Sequence, residues 1–426
     1  MAAPADAPAA PSALPGPSPR ALIAVIAGGI FVTGFALPKT LGYLPFSLLL
    51  KNGFHMSALQ VQAFWSFSLL LWYVKPFVGF VCDAYPLLGT RRRGYLLVAT
   101  LMAGLTWLAF LLVPHAYKQF LALMTLLNLA MVVVSTAIGG LQIEVAHHFN
   151  ATGRLASLRT GLEGIMDLIG GPVGGWLAIC ALRWTAITGA VATLAFLPVV
   201  YCLYREPGGA RANTEVFAVA RKHLQTIVRS RAMWGATGLL FLVYLAPGFQ
   251  LPMLYYQQDV LKLDPRFIGF LQLLGGVGGI IGATAYGYIC RRFSLKVSLI
   301  AGIVLNATST LLYLRYDSAG KAALIDGSAA LLGTLATLPL YDLAARATPR
   351  GIESFGFSLM MSIRNVSIFV ISGLLGSYLY DHYHMSFKQL VWLNAGSSAA
   401  VLLFVPLLPA ALLATREESS GQPPAI

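Results

Sequence analysis

The sequence predicts an all-α membrane protein whose twelve transmembrane helices form two six-helix bundles. Of its 426 residues, 57% are hydrophobic and 11% charged, about half the charged share of an ordinary soluble domain. Apolar stretches of about 20 residues, enough to cross ~30 Å of hydrocarbon, recur along nearly the whole chain. The longest polar interruption, residues 205–232, lies between the sixth and seventh of them.

Hydropathy, turn residues and charge breaks set the spans at 22–50, 57–82, 94–114, 118–146, 157–181, 185–204, 233–257, 267–290, 296–315, 322–345, 353–380 and 388–413. Residues 1–19, with six prolines and a single charge at Asp6, bury too little apolar surface to fold and are expected to form a disordered tail, as is 415–426. Arg20 directly precedes a long span, so the first helix reads as a retained span rather than a cleaved signal. An even number of spans puts both termini on one side. Loops on that side carry 18 Lys and Arg residues against 8 on the other, which predicts cytoplasmic termini. The same asymmetry accounts for the net charge of +13; no basic cluster sits on a soluble module that would present it to nucleic acid. Cys82, Cys180, Cys202 and Cys290 lie in or at the ends of apolar spans without metal-ligand spacing, and read as reduced packing residues.

The expected units are an N-terminal bundle over 20–204, a cytoplasmic basic linker over 205–232 and a C-terminal bundle over 233–414. In the linker, six Lys and Arg residues face Glu206 and Glu215. Val216, Val219, Ala220, Leu224, Ile227 and Val228 recur there at helical spacing, with Arg221, Lys222 and Arg229 on the other faces. That fits a helix lying on an anionic leaflet, with an unstructured linker as the alternative. A short repeat supports the division: Gly79-Phe-Val-Cys82-Asp83 closes the second span and Gly287-Tyr-Ile-Cys290-Arg291 the eighth.

Two halves with a basic turn after the second span resemble the major facilitator superfamily. Its loop at that point reads Gly-x-x-x-Asp-Arg-x-Gly-Arg-Arg/Lys, which Gly79, Asp83, Gly89, Arg91, Arg92 and Arg93 match once extra residues are allowed. The longer run from Trp72 through Lys75-Pro76, Gly79, Asp83, Pro86, Gly89 and Arg91-Arg92-Arg93 to Tyr95 resembles a segment of folate-biopterin transporters. Residues 348–365, from Thr348-Pro349 through Gly351, Glu353 and Met360-Met361-Ser362 to Arg364-Asn365, are similar to a second segment of that family. The resemblance implies a secondary active transporter, not an enzyme, that carries a pterin, folate or other small organic anion by alternating access with a proton. A carrier or exporter of an unrelated metabolite or drug is the alternative on the same architecture; a membrane enzyme or a non-transporting scaffold is the reading from another class. The expected partners are the small-molecule substrate, the proton and the lipid bilayer, with no cofactor, no nucleic acid and a monomeric chain. The fourth span departs from the family: Glu144 is present, but Ser135 and Gly139 stand where acidic residues are common.

Ionised side chains inside hydrocarbon cost at least a few kcal/mol each, so those kept there are candidates for function. Lys39 lies on the first span, Lys75 on the second, Glu144 on the fourth, Glu163 and Asp167 on the fifth, Asp342 on the tenth and Arg364 on the eleventh. The interiors of the third, sixth, ninth and twelfth spans carry none; in the superfamily these are the lipid-facing ones. Glu163 and Asp167, four apart on one helix face, form a candidate proton-coupling pair with Glu144 as a further acid, because two close carboxylates do not both ionise cheaply. Lys39 neutralising one of them is the structural alternative. Arg364 with Asn365 near the membrane midplane, Lys75 and Lys39 are candidates for holding an anion; Arg364 locked to Asp342 is the alternative. Gln250 and Gln272, with Tyr244, Tyr255, Tyr256, Gln257 and Gln258, offer groups that could stack on or hydrogen-bond a planar heterocycle. Asp83, Arg91, Arg92, Arg93 and Asp342 are candidates for a cytoplasmic gate. Gly170, Gly171, Gly174 and Gly175 around Pro172 permit close helix packing. His147-His148 lacks further metal ligands, and no phosphate-binding loop is present.

Overall fold

The computed structural model describes residues 18–112, 116–149, 152–206, 208–209, 212, 215–349 and 353–408. The expected tails lie outside it, apart from Ser18 and Pro19, which start the first helix. Ser18 Oγ accepts from the Ala21 N–H at 3.3 Å, and Pro19 occupies the first turn, where no partner for its nitrogen is needed.

Twelve helical passes follow, with no β-strand among the described residues. Seven cross as long apolar runs: Tyr117–Ala146, Leu182–Leu203, Pro265–Cys290, Leu295–Arg315, Ala319–Ala347, Phe355–His382 and Phe387–Leu407. The third pass, Arg93–Ala109, and the fifth, Thr152–Ile179, are also single helices. The first pass is broken between Pro19–Phe35 and Tyr43–Leu48. The second runs in three pieces, Ala58–Ser68, Leu70–Tyr73 and Lys75–Ala84, and the seventh in two, Arg231–Tyr244 and Gln250–Asp259.

Proline and glycine account for the breaks. Pro38 lacks an N–H, so the Leu37 carbonyl accepts from both Thr40 N at 2.9 Å and Leu41 N at 3.1 Å before the helix restarts. Pro247 and Gly248 interrupt the seventh pass, and groups of neighbouring passes take up the freed backbone. Ser372 Oγ donates to Ala246 O at 2.5 Å, Asn394 Nδ2 donates to Pro247 O at 2.9 Å, and Gly248 N donates to Ser372 O at 2.9 Å. The eleventh pass loosens instead of breaking, with a π-helical stretch at Val366–Ser372. Irregular backbone at membrane depth persists only where protein or a cavity surrounds it, and here it marks the passes that meet at the middle of the molecule.

Small residues bring the halves together. A Cβ at Gly175 on the fifth pass would lie 2.9 Å from the Gly269 Cα on the eighth, so only glycine permits this approach. On the same helix, Gly170 and Gly174 accommodate Thr40 and Leu41 from the break in the first pass. Leu105, Val191, Val304, Trp392 and Leu403 on the third, sixth, ninth and twelfth passes are exposed, as expected of helices whose outer face meets lipid. Between the halves, Glu215–Arg229 is a regular helix rather than an unstructured linker. It rests on the second pass and reaches the eleventh, where the His223 and Phe355 rings lie 6.2 Å apart.

Candidate transport site

Lys39 sits in the break of the first pass, with its Nζ 3.0 Å from the centroid of the Phe369 ring in the π-helical stretch of the eleventh. Five residues before Phe369, the Arg364 guanidinium lies 4.5 Å from the Tyr244 ring centroid and 5.4 Å from that of Tyr341. Its Nη1 donates to Asn365 Oδ1 at 3.2 Å, while its buried Nε has no hydrogen-bond partner. Lys39 thus meets the eleventh pass five residues beyond Arg364. Among the described residues neither makes an ion pair. Lys75 opens the last piece of the second pass; its Nζ donates to Ser135 Oγ at 2.7 Å and lies 5.2 Å from the Trp72 ring centroid. Trp72 is fixed in turn by its Nε1, which donates to Asn128 Oδ1 at 3.0 Å. Three cations are thus held by aromatic faces and neutral oxygens, at positions where carboxylate partners would be the ordinary solution.

The other expected residues are distributed differently. Glu163 pairs with Arg159 one turn earlier, Nε to Oε1 at 2.8 Å, and is half exposed. The side chain of Asp167 lies outside the described residues. Glu144 faces Arg92 at the end of the bundle that carries the basic turns. Asp342 pairs with Arg346 through two bonds of 2.8 Å, so the alternative partner for Arg364 is engaged elsewhere. Gln250 and Gln272 are exposed, the first at the start of the helix after the seventh-pass break and the second beside Gly171. Of the polar aromatic and amide set, Tyr244 meets Arg364. Tyr255 donates to Met56 O at 2.5 Å, Tyr256 stacks on Phe387 at 4.8 Å, Gln257 donates to Tyr316 at 2.6 Å and Gln258 to Leu263 O at 2.8 Å.

At the basic end, a tight turn aims the arginines. Leu87 and Thr90 exchange backbone bonds of 3.0 and 3.1 Å, and the two residues between them both have positive φ, 52° at Leu88 and 72° at Gly89. Beyond the turn, Arg92 grips Glu144 with two bonds, Nε to Oε2 at 3.0 Å and Nη2 to Oε1 at 2.7 Å, and its Nη2 lies 3.5 Å from Asp83 Oδ1. Arg91 lies 3.7 Å from Asp83 and 3.9 Å from Glu144. A side chain at Gly140 would collide with the Arg92 guanidinium, so that glycine makes room for the cluster. Arg93 turns away and donates to Tyr201 O at 3.1 Å. Sequence reasoning did not single out Glu206, whose carboxylate accepts the backbone N–H groups of Arg91, Arg92 and Arg93 at 3.1, 3.0 and 2.8 Å. It caps the third pass at the positive end of its helix dipole. An acidic residue directly after the sixth span in a basic loop was the available signal.

The opposite end joins the two halves. Lys51 donates to Asp259 at 2.5 Å, Leu59 N donates to Asp381 Oδ2 at 2.7 Å, and Gln62 Nε2 and Ser66 Oγ both donate to Phe369 O at 2.7 Å. Near this end lies a second overlooked acid, Asp326 on the tenth pass, which accepts from Tyr316 at 2.8 Å and Tyr313 at 3.1 Å. Its position inside an apolar span was the signal that should have found it.

Twelve passes in two halves, with broken helices at the centre and Lys39 and Arg364 on them, are those of a membrane transporter of the major facilitator type. The chain belongs to the BT1 family, whose model matches residues 34–315 and 323–423. A folate-biopterin transporter of Synechocystis is 26% identical over 396 residues, covering 87% of this chain and 78% of its own length. A probable folate-biopterin transporter of Arabidopsis thaliana is 23% identical over 419 residues, covering 79% and 84%. Among solved structures, a peptide transporter of the POT type superposes with a TM-score of 0.71 at 13% identity, over 93% of this chain and 96% of that one, and shows the shared fold. Family and relatives are transporters rather than enzymes.

Proposed function

We propose that the chain carries a small organic anion of the pterin or folate class by alternating access, coupled to a proton. The observation that supports this most is that Lys39 and Arg364, two cations without an ion-pair partner among the described residues, lie along the same stretch of the eleventh pass. Holding unpaired cations in a poorly solvated site is costly, and a bound anion offsets that cost. Tyr244 and Tyr341 beside the guanidinium, and Phe369 beside the ammonium, suit a flat ring that carries a carboxylate or an acidic lactam. The names of the relatives agree with that chemistry. Asn365, Lys75, Gln250 and Gln272 complete the substrate-facing set in this reading, with Glu163 and Asp167 as the proton pair. In this reading Asp83, Arg91, Arg92, Arg93 and Glu144 brace the basic end of the first half, and Asp342 with Arg346 does the same in the second, in place of the expected gate between halves.

In this reading the basic end is cytoplasmic, as are both termini; the 18 to 8 excess of basic residues in its loops supports that orientation. Bundles over 20–204 and 233–414 rock about the central site, joined by the 205–232 linker, in a chain that works as a monomer. The conformer described is latched at the outer end.

One experiment in proteoliposomes tests the reading. Pteridines, folates and simple organic acids are offered to wild type, Arg364→Lys, Arg364→Ala and Asp167→Asn with and without an imposed pH gradient, and melting temperature is recorded for each protein. Arg364→Lys keeps the charge but loses the planar fork, so binding should weaken about tenfold, and Arg364→Ala should nearly abolish it. Asp167→Asn should bind and exchange substrate but fail to concentrate it. An Arg364→Ala protein that melts early yet binds with unchanged affinity refutes the anion site; gradient-driven accumulation by Asp167→Asn refutes that proton site.

A further inference from the structure

A groove of about 550 Å³ opens between the linker helix Glu215–Arg229 and the second pass. Its floor is apolar, formed by Phe77, Phe80 and Val81 of the membrane-spanning helix with Leu224 and Val228 of the linker helix. Arg221 and Arg229 also line it. The sequence pattern had put these two arginines on faces away from the apolar stripe. In the structure they share the groove with Leu224 and Val228, because residues 221, 224, 225, 228 and 229 recur three and four apart. Eight residues separate the two guanidinium-bearing positions, about 12 Å along the helix. Both are exposed, and among the described residues neither makes an ion pair.

We infer that this groove is a binding site for one anionic phospholipid. The floor belongs to a helix that crosses the bilayer, so an acyl chain reaches it without leaving the membrane. The arginines stand where a phosphate would sit at the interface, their stems along the apolar wall and their charged heads toward water. Charge complementarity selects the occupant: a neutral lipid would fill the floor but leave both guanidinium groups unanswered. The site also touches the seam between the halves. Phe80 packs on Phe355 of the eleventh pass at 4.9 Å, and the linker helix meets the same ring through His223. A lipid in the groove therefore props the linker helix against both halves and favours the conformer described.

The test uses the purified full-length protein in nanodiscs of phosphatidylcholine alone or with one-third phosphatidylglycerol, with tightly retained lipid read by native mass spectrometry. Wild type should retain phosphatidylglycerol in preference to phosphatidylcholine. The Arg221→Ala/Arg229→Ala double variant should lose about an order of magnitude of that retention, since each basic residue contributes roughly equally to attraction by an anionic headgroup. Val81→Trp, which fills the floor and keeps both arginines, should lose it as well, while Lys222→Ala, outside the groove, should not. Equal retention of both lipids by wild type overturns the inference. So does unchanged phosphatidylglycerol retention in the double variant or in Val81→Trp, which would assign the lipid to a general basic surface.

Discussion

The two ends of the bundle are closed by contacts of different reach. At the basic end, Arg92, Glu144, Asp83 and Glu206 connect the second, third, fourth and sixth passes, all within one half. At the other end, Lys51 with Asp259 and the Leu59 N–H with Asp381 connect one half to the other. A cluster confined to one half keeps its geometry when the halves rock and acts as a brace. In the proposed alternating-access cycle a contact between halves breaks and reforms, so it must be weak enough to break and specific enough to reform. The Asp381 contact has that form: a single carboxylate caps a helix whose remaining first-turn needs are met locally by Ser57 and Gln60.

The largest effect should follow from Arg92→Ala. That arginine is buried while Glu144 and Asp83 are partly exposed, so solvent recovers part of what the carboxylates lose. A destabilisation of about 2 kcal/mol is expected, read as a lower melting temperature in detergent. Because the brace lies within one half, accessibility of a cysteine introduced at Ser57 should not change. A large rise in labelling at that position would instead make the basic cluster part of the gate between halves.

How much of this was legible follows from where each signal resides. Hydropathy delivered the twelve passes because burial in lipid acts on every residue of a span. The breaks at Pro38 and Pro247 fall inside spans read as continuous, 22–50 and 233–257, although a missing N–H is a local property visible in the sequence. The π-helical stretch Val366–Ser372 has no such mark; it contains neither proline nor glycine and is fixed by packing. Lys75 could be named as a buried cation, but its partner Ser135 is 60 residues away in sequence and belongs to a different pass. Glu163 has two neighbours at a spacing of four, Arg159 and Asp167; it pairs with Arg159, while the Asp167 side chain lies outside the described residues. Spacing of four identifies possible neighbours and does not choose between them.

A smaller effect on stability, and a larger one on conformation, is expected at the opposite end. Asp381→Ala removes one cap, about 1 kcal/mol, but the loss falls on one conformer only. The balance between the closed and open states of this end should therefore move about fivefold, with faster labelling of a cysteine at Ser57 and little change in melting temperature. Lys51→Ala should act in the same direction. Unchanged labelling in both variants would mean that the Gln62 and Ser66 bonds to Phe369 O suffice to hold the end closed.

The smallest difference concerns the turns themselves. Leu88 at the basic end and His55, Lys262 and His384 at the other are the non-glycine residues with positive φ among those described. For leucine this conformation costs about 1 kcal/mol, and Leu88 is 70% exposed, so little packing offsets it. Leu88→Gly removes the steric cost and adds a chain-entropy cost of about 0.5–1 kcal/mol. The net gain should be a few tenths of a kcal/mol, a rise in melting temperature of about 1 °C or less. Labelling at Ser57 should not respond, because the turn belongs to the brace. His384→Gly relieves the same kind of strain beside Asp381, and there the freed loop should weaken the latch, so labelling should rise even though the local geometry has improved. Should Leu88→Gly lower the melting temperature while Leu88→Phe raises it, the leucine is kept for contact with the membrane interface. The basic-end turn would then be anchored by lipid as well as by Glu206.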